Sequence, residues 1–159
     1  MTTQRTAPSP RRQLKIGHRV TTMHLALPAS LARAGVIVLH PWWGLNDDVI
    51  GFADRLAEAG FAVAAPDLFA GQIATTIPEA EGLSDSVDED VADAFVLAAV
   101  DELGAVIGDP TARIGVVGFS FGAAWRSVRR CMASPRSIGT WGPPIEPSSP
   151  SSMESSGGN

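Results

Sequence analysis

The chain has 159 residues, a net charge of -5, and 45% apolar against 18% charged residues. That balance suits one compact domain and excludes a chain too polar to build a core. Nine of its seventeen acids fall between Glu79 and Glu102, a distribution that argues against nucleic acid as a partner and reads as one solvated helix face with its approach.

Cys131 is the only cysteine, so an intrachain disulfide or a cysteine zinc site is excluded and a reducing, cytoplasmic setting is expected. No apolar run approaches transmembrane length. Arg11 and Arg12 open no export signal, since His18 and Arg19 interrupt the apolar stretch such a signal needs. No motif calls for a metal or cofactor, and nothing fixes the oligomeric state.

In chain order, residues 1–13 are polar with two prolines and are expected to form a flexible arm. Val20, Thr22, His24 and Ala26 alternate with Thr21, Met23, Leu25 and Leu27, a period of two that predicts a strand opening the sheet and ending at Pro28. Gly35 to Leu39 is short, continuous and β-branched, as in a strand covered on both faces. Asn46, Asp47 and Asp48 offer caps for a helix with Val49, Phe52, Ala53 and Leu56 inward and Gly60 at its stop. A second buried strand is predicted from Phe61 to Ala65, followed by a loop from Pro66 to about Ser84.

Ser86 and Glu89 have capping-box spacing before a longer helix with Val91, Ala94, Phe95 and Ala98 on its apolar side, ended by Gly108-Asp-Pro110. Ile114 to Val117 is a third buried strand. Strands alternating with helices predict a parallel sheet with helices on both faces. The domain is expected to span 14–132. In the last 34 residues 18 are Ser, Pro or Gly, so 133–159 is expected to be disordered.

The strongest chemical signal is Gly118-Phe119-Ser120-Phe121-Gly122, a G-x-S-x-G between a β-branched strand and a candidate helix. A strand turning sharply into a helix holds such a serine above the sheet edge, and the flanking glycines, Gly118 and Gly122, allow close backbone approach. Ser120 is therefore the candidate nucleophile, and the Phe121 N-H, at the helix start, a candidate oxyanion donor. His40-Pro-Trp-Trp-Gly-Leu45 follows an earlier strand and faces the same edge. It offers the Trp42 N-H as the second donor and Trp43 and Gly44 as pocket residues, although both tryptophans could equally be covering apolar surface.

The stretch VIVLHPWWGLNDDVIGFADRLAEAGFAVAAPDLFAGQIATTIPEAE, followed by IGVVGFSFGAAW, resembles the dienelactone hydrolase family of the α/β-hydrolase superfamily from about Val20 through Trp125. The Trp-Trp-Gly-Leu loop, Ala-Pro-Asp-Leu turn, Ala-Thr-Thr segment and elbow come in that family's order. The resemblance implies hydrolysis of a small carboxylic ester or lactone through an acyl-enzyme at Ser120, where the founding enzymes use cysteine. Many members carry an acid where Pro41 stands, and some an arginine near Gly71 that binds a substrate carboxylate. Neither is present, which points away from dienelactone itself.

The fold supplies its triad in the order Ser, Asp or Glu, His, but no histidine or aspartate follows Ser120. Glu146 and Glu154 lie in the tail, and His18, His24 and His40 precede the nucleophile. His40 stands where the family also tends to have a histidine in a structural role. The chain thus reads as the first part of such a domain, truncated after the elbow and inactive alone. Arg126, Arg129 and Arg130 interrupt an expected apolar helix, and the tail resembles a GC-rich gene read out of frame from near codon 126. A non-catalytic small-molecule-binding module and a non-functional gene product are the alternatives. Truncation would also leave the Ile114 strand as an apolar edge prone to aggregate.

Overall fold

The computed structural model describes residues 11–32, 34–109 and 111–120. Five strands form one sheet in the order β1-β2-β4-β3-β5. Strand β1 (Arg11–Ile16) and β2 (Arg19–Ala26) make an antiparallel hairpin with Ile16 opposite Arg19. Residues 11–13, expected in the arm, therefore belong to the sheet. Alternation in β1 is too weak to read because Leu14 alone is buried, so cross-strand pairing decides its state. The rest of the arm and the expected 133–159 tail lie outside the described residues.

Strand β3 (Gly35–Leu39) runs parallel to β4 (Ala62–Pro66) on one side and to β5 (Ile114–Gly118) on the other, whereas β2 is antiparallel to β4. The sheet is mixed, not wholly parallel as expected. Its parallel part is β3, β4 and β5. Strands β3 and β4 are buried on both faces, whereas β5, expected to be buried, has only Ile114 buried because β3 is its one neighbouring strand among the described residues.

Two crossovers leave in opposite directions, β3 to the adjacent β4 and then β4 past β3 to β5, and the preferred right hand sends their helices to opposite faces. Helix α1 (Asp47–Glu58) packs Val49, Ala53 and Ala57 against Ala26, Val38, Val63 and Ala65. On the other face α3 (Glu89–Ile107) packs Phe95, Val96, Ala99 and Leu103 against Ile37, Leu39, Ala62 and Ala64. A Cβ on Gly35 would stand 3.0 Å from both Ile114 Cγ1 and Leu103 Cδ2, so the lack of a side chain there lets β3, β5 and α3 meet closely.

Asn46 caps α1 as expected, its side chain accepting from the Val49 N-H at 3.2 Å. The predicted loop contains a further helix, α2 (Ile77–Asp85). Its capping box is Thr76 with Glu79, and Pro78 stands in its first turn. Hydrogen bonds from the Thr75 N-H and Oγ1, and then from the Thr76 N-H, hold the Glu79 carboxyl below its ordinary range.

The expected Ser86 and Glu89 box is not formed. Asp88 caps α3 through the Val91 N-H, while Ser86 Oγ donates to the Leu83 carbonyl at the end of α2. The inward face of α3 is turned accordingly, with Ala92, Phe95, Val96, Ala99 and Leu103 buried and Ala94 and Ala98 only half-buried. Leu103 is fully buried where α3 meets the sheet, and Leu103→Ala should lower stability by about 2–5 kcal/mol in urea unfolding.

Candidate nucleophile elbow at the carboxyl edge of the sheet

Strand β5 ends at Gly118, in register with Leu39 of β3, and the Phe119 N-H extends that pairing by donating to the Leu39 carbonyl at 3.2 Å. Phe119 is half-buried against Phe52 of α1, with ring centroids 5.1 Å apart and nearly perpendicular. The next residue, Ser120, is exposed and adopts a φ of +49°. A residue with a Cβ in the left-handed region carries strain of order 1–3 kcal/mol, held only where the surroundings dictate the backbone. Here the Phe119 anchor precedes it immediately. Phe121 and Gly122, the expected donor and second elbow glycine, lie outside the described residues.

The parallel register sets the segment after Leu39 one strand spacing, about 4.8 Å, from the segment carrying Ser120. That segment is a turn closed by the Gly44 N-H donating to the Pro41 carbonyl at 3.0 Å. Trp42 and Trp43 are its central residues, half-buried, with rings edge to face at 5.4 Å. A turn closed this way leaves the N-H of its first central residue, Trp42, outside its own hydrogen bond. Gly44 has a φ of +92°, and a Cβ there would lie 2.5 Å from the Gln72 carbonyl oxygen. No other residue fits both constraints. The Ala74 N-H donates to the Trp43 carbonyl at 3.1 Å, joining this loop to the one after β4.

His40 and Asp67 hold the two loops from beneath. His40 is fully buried. Its Nε2 accepts the Leu68 N-H at 3.0 Å, which leaves the ring proton on Nδ1, 2.7 Å from the Pro41 carbonyl that accepts it. Asp67, also buried, accepts the Phe69 N-H at 3.0 Å on one carboxylate oxygen and the Gly71 N-H at 2.7 Å on the other. Its backbone carbonyl accepts the Thr21 hydroxyl of β2. This bracing went unread in the sequence, where the Ala-Pro-Asp-Leu turn entered only through the resemblance.

With both nitrogens committed, His40 is structural. His18 is exposed in the β1-β2 turn, at the opposite end of the strand order from β5. Buried His24, on β2, shares a 2.7 Å hydrogen bond between Nε2 and the Asp54 carboxylate of α1. The structure thus brings Ser120 beside the Trp42-Trp43 loop, commits the histidine of that loop, His40, to backbone, and leaves His18 in the β1-β2 turn and His24 on β2. Among the described residues no three His, Cys, Asp or Glu side chains are grouped to hold a metal, and no helix is long and apolar enough to cross a membrane.

Burial pushes the His40 pKa below its ordinary value, more than the Pro41 hydrogen bond and the Asp67 charge raise it. The unfolded chain therefore binds a proton near the ordinary value, about 6.5, that the folded chain refuses. This stabilising contribution is complete above that value and is lost as pH falls from it towards the lower folded-state pKa. Urea midpoints should drop between about pH 7 and 5, and His40→Gln should be less stable at pH 8 yet show a shallower drop.

The profile of the dienelactone hydrolase family matches residues 22–150, running past Trp125, where the recognisable motifs end. Protein usf of Aquifex pyrophilus is 36% identical over 94 residues, covering 55% of this chain and 41% of its own length. A protein of Aquifex aeolicus provisionally named a carboxymethylenebutenolidase is 31% identical over 97 residues, covering 57% of this chain and 42% of its own. Among solved structures, m3DLH aligns with a TM-score of 0.66 at 27% identity over 79% of this chain and 55% of that one. A dienelactone hydrolase-like promiscuous phosphotriesterase from metagenomic libraries aligns with a TM-score of 0.61 at 25% identity over 78% and 54%. The chain spans about two fifths of the length of these curated relatives. Because the family profile covers most of the sequence, this chain belongs to the dienelactone hydrolase family.

Proposed function

We propose that the chain carries the nucleophile half of a hydrolase of small carboxylic esters or lactones, with Ser120 attacking the carbonyl carbon. The observation that carries this reading is the left-handed backbone of Ser120 directly after β5, a strained residue at the carboxyl edge where open α/β sheets place their sites. In the reaction Ser120 Oγ bonds to the carbonyl carbon, its proton passes to a base, and the carbonyl oxygen becomes an oxyanion. Collapse expels the alcohol and leaves an acyl-serine that water later hydrolyses. The Trp42 and Phe121 N-H groups are the oxyanion donors in this reading, and Trp43 and Gly44 shape the pocket. A small-molecule substrate and a cytoplasmic setting go with it.

Among the described residues no base is brought to Ser120. No histidine or aspartate follows it, and His40 and His24 are engaged elsewhere. A serine hydroxyl without an adjacent base is a poor nucleophile, and losing the histidine of a triad costs on the order of a millionfold in turnover. These 159 residues are therefore expected to show no Ser120-dependent turnover, while the strained backbone makes Ser120 the most reactive of the described serines.

Hydrolysis of p-nitrophenyl acetate should agree within about twofold between the chain and Ser120→Ala, given the size of that loss. A fluorophosphonate with added imidazole should label Ser120 slowly and selectively over Ser30, Ser84 and Ser86 by peptide mapping. Labelling spread evenly over these serines would remove Ser120 as nucleophile. Turnover abolished by Ser120→Ala would instead show that the chain holds a base of its own.

A further inference from the structure

Beside the elbow, on the α1 face, lies an open cleft of about 300 Å³ bordered by Pro41, Trp43, Val49, Phe52, Arg55 and Phe119, with Asn46 and Asp48 at its α1 amino end. Three of its eight lining residues, Trp43, Phe52 and Phe119, are aromatic. Phe52 and Phe119 meet edge to face, Trp43 stands half-buried on the turn above them, and Val49 is buried. Edge-to-face rings present both electron-rich faces and electropositive edges to a further ring, so a flat aromatic guest gains more here than its apolar area alone provides.

The charges at the two ends differ. Arg55 is exposed, its guanidinium carbon lies 5.9 Å from the Phe52 ring centroid, and among the described residues it forms no ion pair. The adjacent acid, Asp54, is engaged by His24 instead. Asp48 lies two helical turns away, about 10 Å along the axis, where its charge complements the amino end of α1. A ligand in the middle of the cleft therefore meets aromatic walls and, at one end, a guanidinium whose planar fork matches a carboxylate. The volume is at the small end for ligand sites, which limits the guest to about one ring.

We propose that this cleft is a binding site for a small planar aromatic carboxylate, the ring lying among Trp43, Phe52 and Phe119 and the carboxylate on Arg55. The site stands on α1 and the strand ends and needs no chemistry at Ser120. It can therefore be tested in the Ser120→Ala protein, where the fate of the hydrolase reading does not enter.

Benzoate, benzyl alcohol and benzylamine would each be titrated into the full chain by calorimetry and by ligand-observed NMR. Benzoate should bind with a Kd in the region of 1 mM, about tenfold tighter than benzyl alcohol, with benzylamine weakest. Arg55→Met removes the charge but keeps an unbranched apolar side chain, so it should weaken benzoate about tenfold and leave benzyl alcohol unchanged, while Arg55→Lys should recover part of the loss. The thermal midpoints of both variants should match the parent, because Arg55 is on the surface. The proposal is overturned if benzoate shows no binding at about 20 mM, if it binds no better than the alcohol or the amine, or if Arg55→Met leaves its affinity unchanged.

Discussion

The carboxyl edge of this sheet depends on two buried polar side chains whose hydrogen bonds all go to backbone. A loop leaving a buried strand turns its amides away from the ladder, and each unpaired amide in the interior would cost about 1–3 kcal/mol. His40 takes the Leu68 amide and supplies the Pro41 carbonyl. Asp67 takes the Phe69 and Gly71 amides. Neither residue can be exchanged for an apolar one of equal size without orphaning the groups it serves. With the loops after β3 and β4 braced this way, the Trp42-Trp43 turn is tied to the loop after β4, and β5 pairs beside it.

The same bracing separates what this chain holds from what the proposed acyl transfer requires. An elbow serine in a left-handed backbone beside a turn with an outward amide is an arrangement suited to acyl transfer. Proton transfer is a separate requirement. The histidine in the loop next to the elbow is buried as a neutral hydrogen-bond hub, and burial opposes the charged form a general base must pass through. His24, likewise buried, is directed to α1 through Asp54. Proximity in sequence to a strand end therefore says little about whether a histidine can act as a base.

Much of this was legible in the sequence because it rests on local chemistry. The continuous β-branched runs at Gly35 to Leu39 and Ile114 to Val117 became β3 and β5, the Asn46 cap began α1, and Gly108 ended α3. Helix α2 escaped because Ala80 is its one buried residue, leaving no apolar stripe to find. The Thr76 to Glu79 capping box with Pro78 was its available signal. The Ser86 to Glu89 spacing misled because Asp88, closer to the true start, is as good a cap and sits where the chain turns.

By itself the sequence determined which segments are apolar, where helices start and stop, and which serine stands in an elbow motif, since these follow from side-chain chemistry within a few residues. The tertiary structure decided the antiparallel junction of β2 with β4, the recruitment of residues 11–13 into β1, the rotation of α3 and the assignment of His40 to backbone rather than catalysis. Those outcomes depend on partners distant in the chain: Arg11 pairs with His24, and His40 with Leu68. A hydrogen bond has no preference for near neighbours in sequence, so only the packed chain settles which donor meets which acceptor.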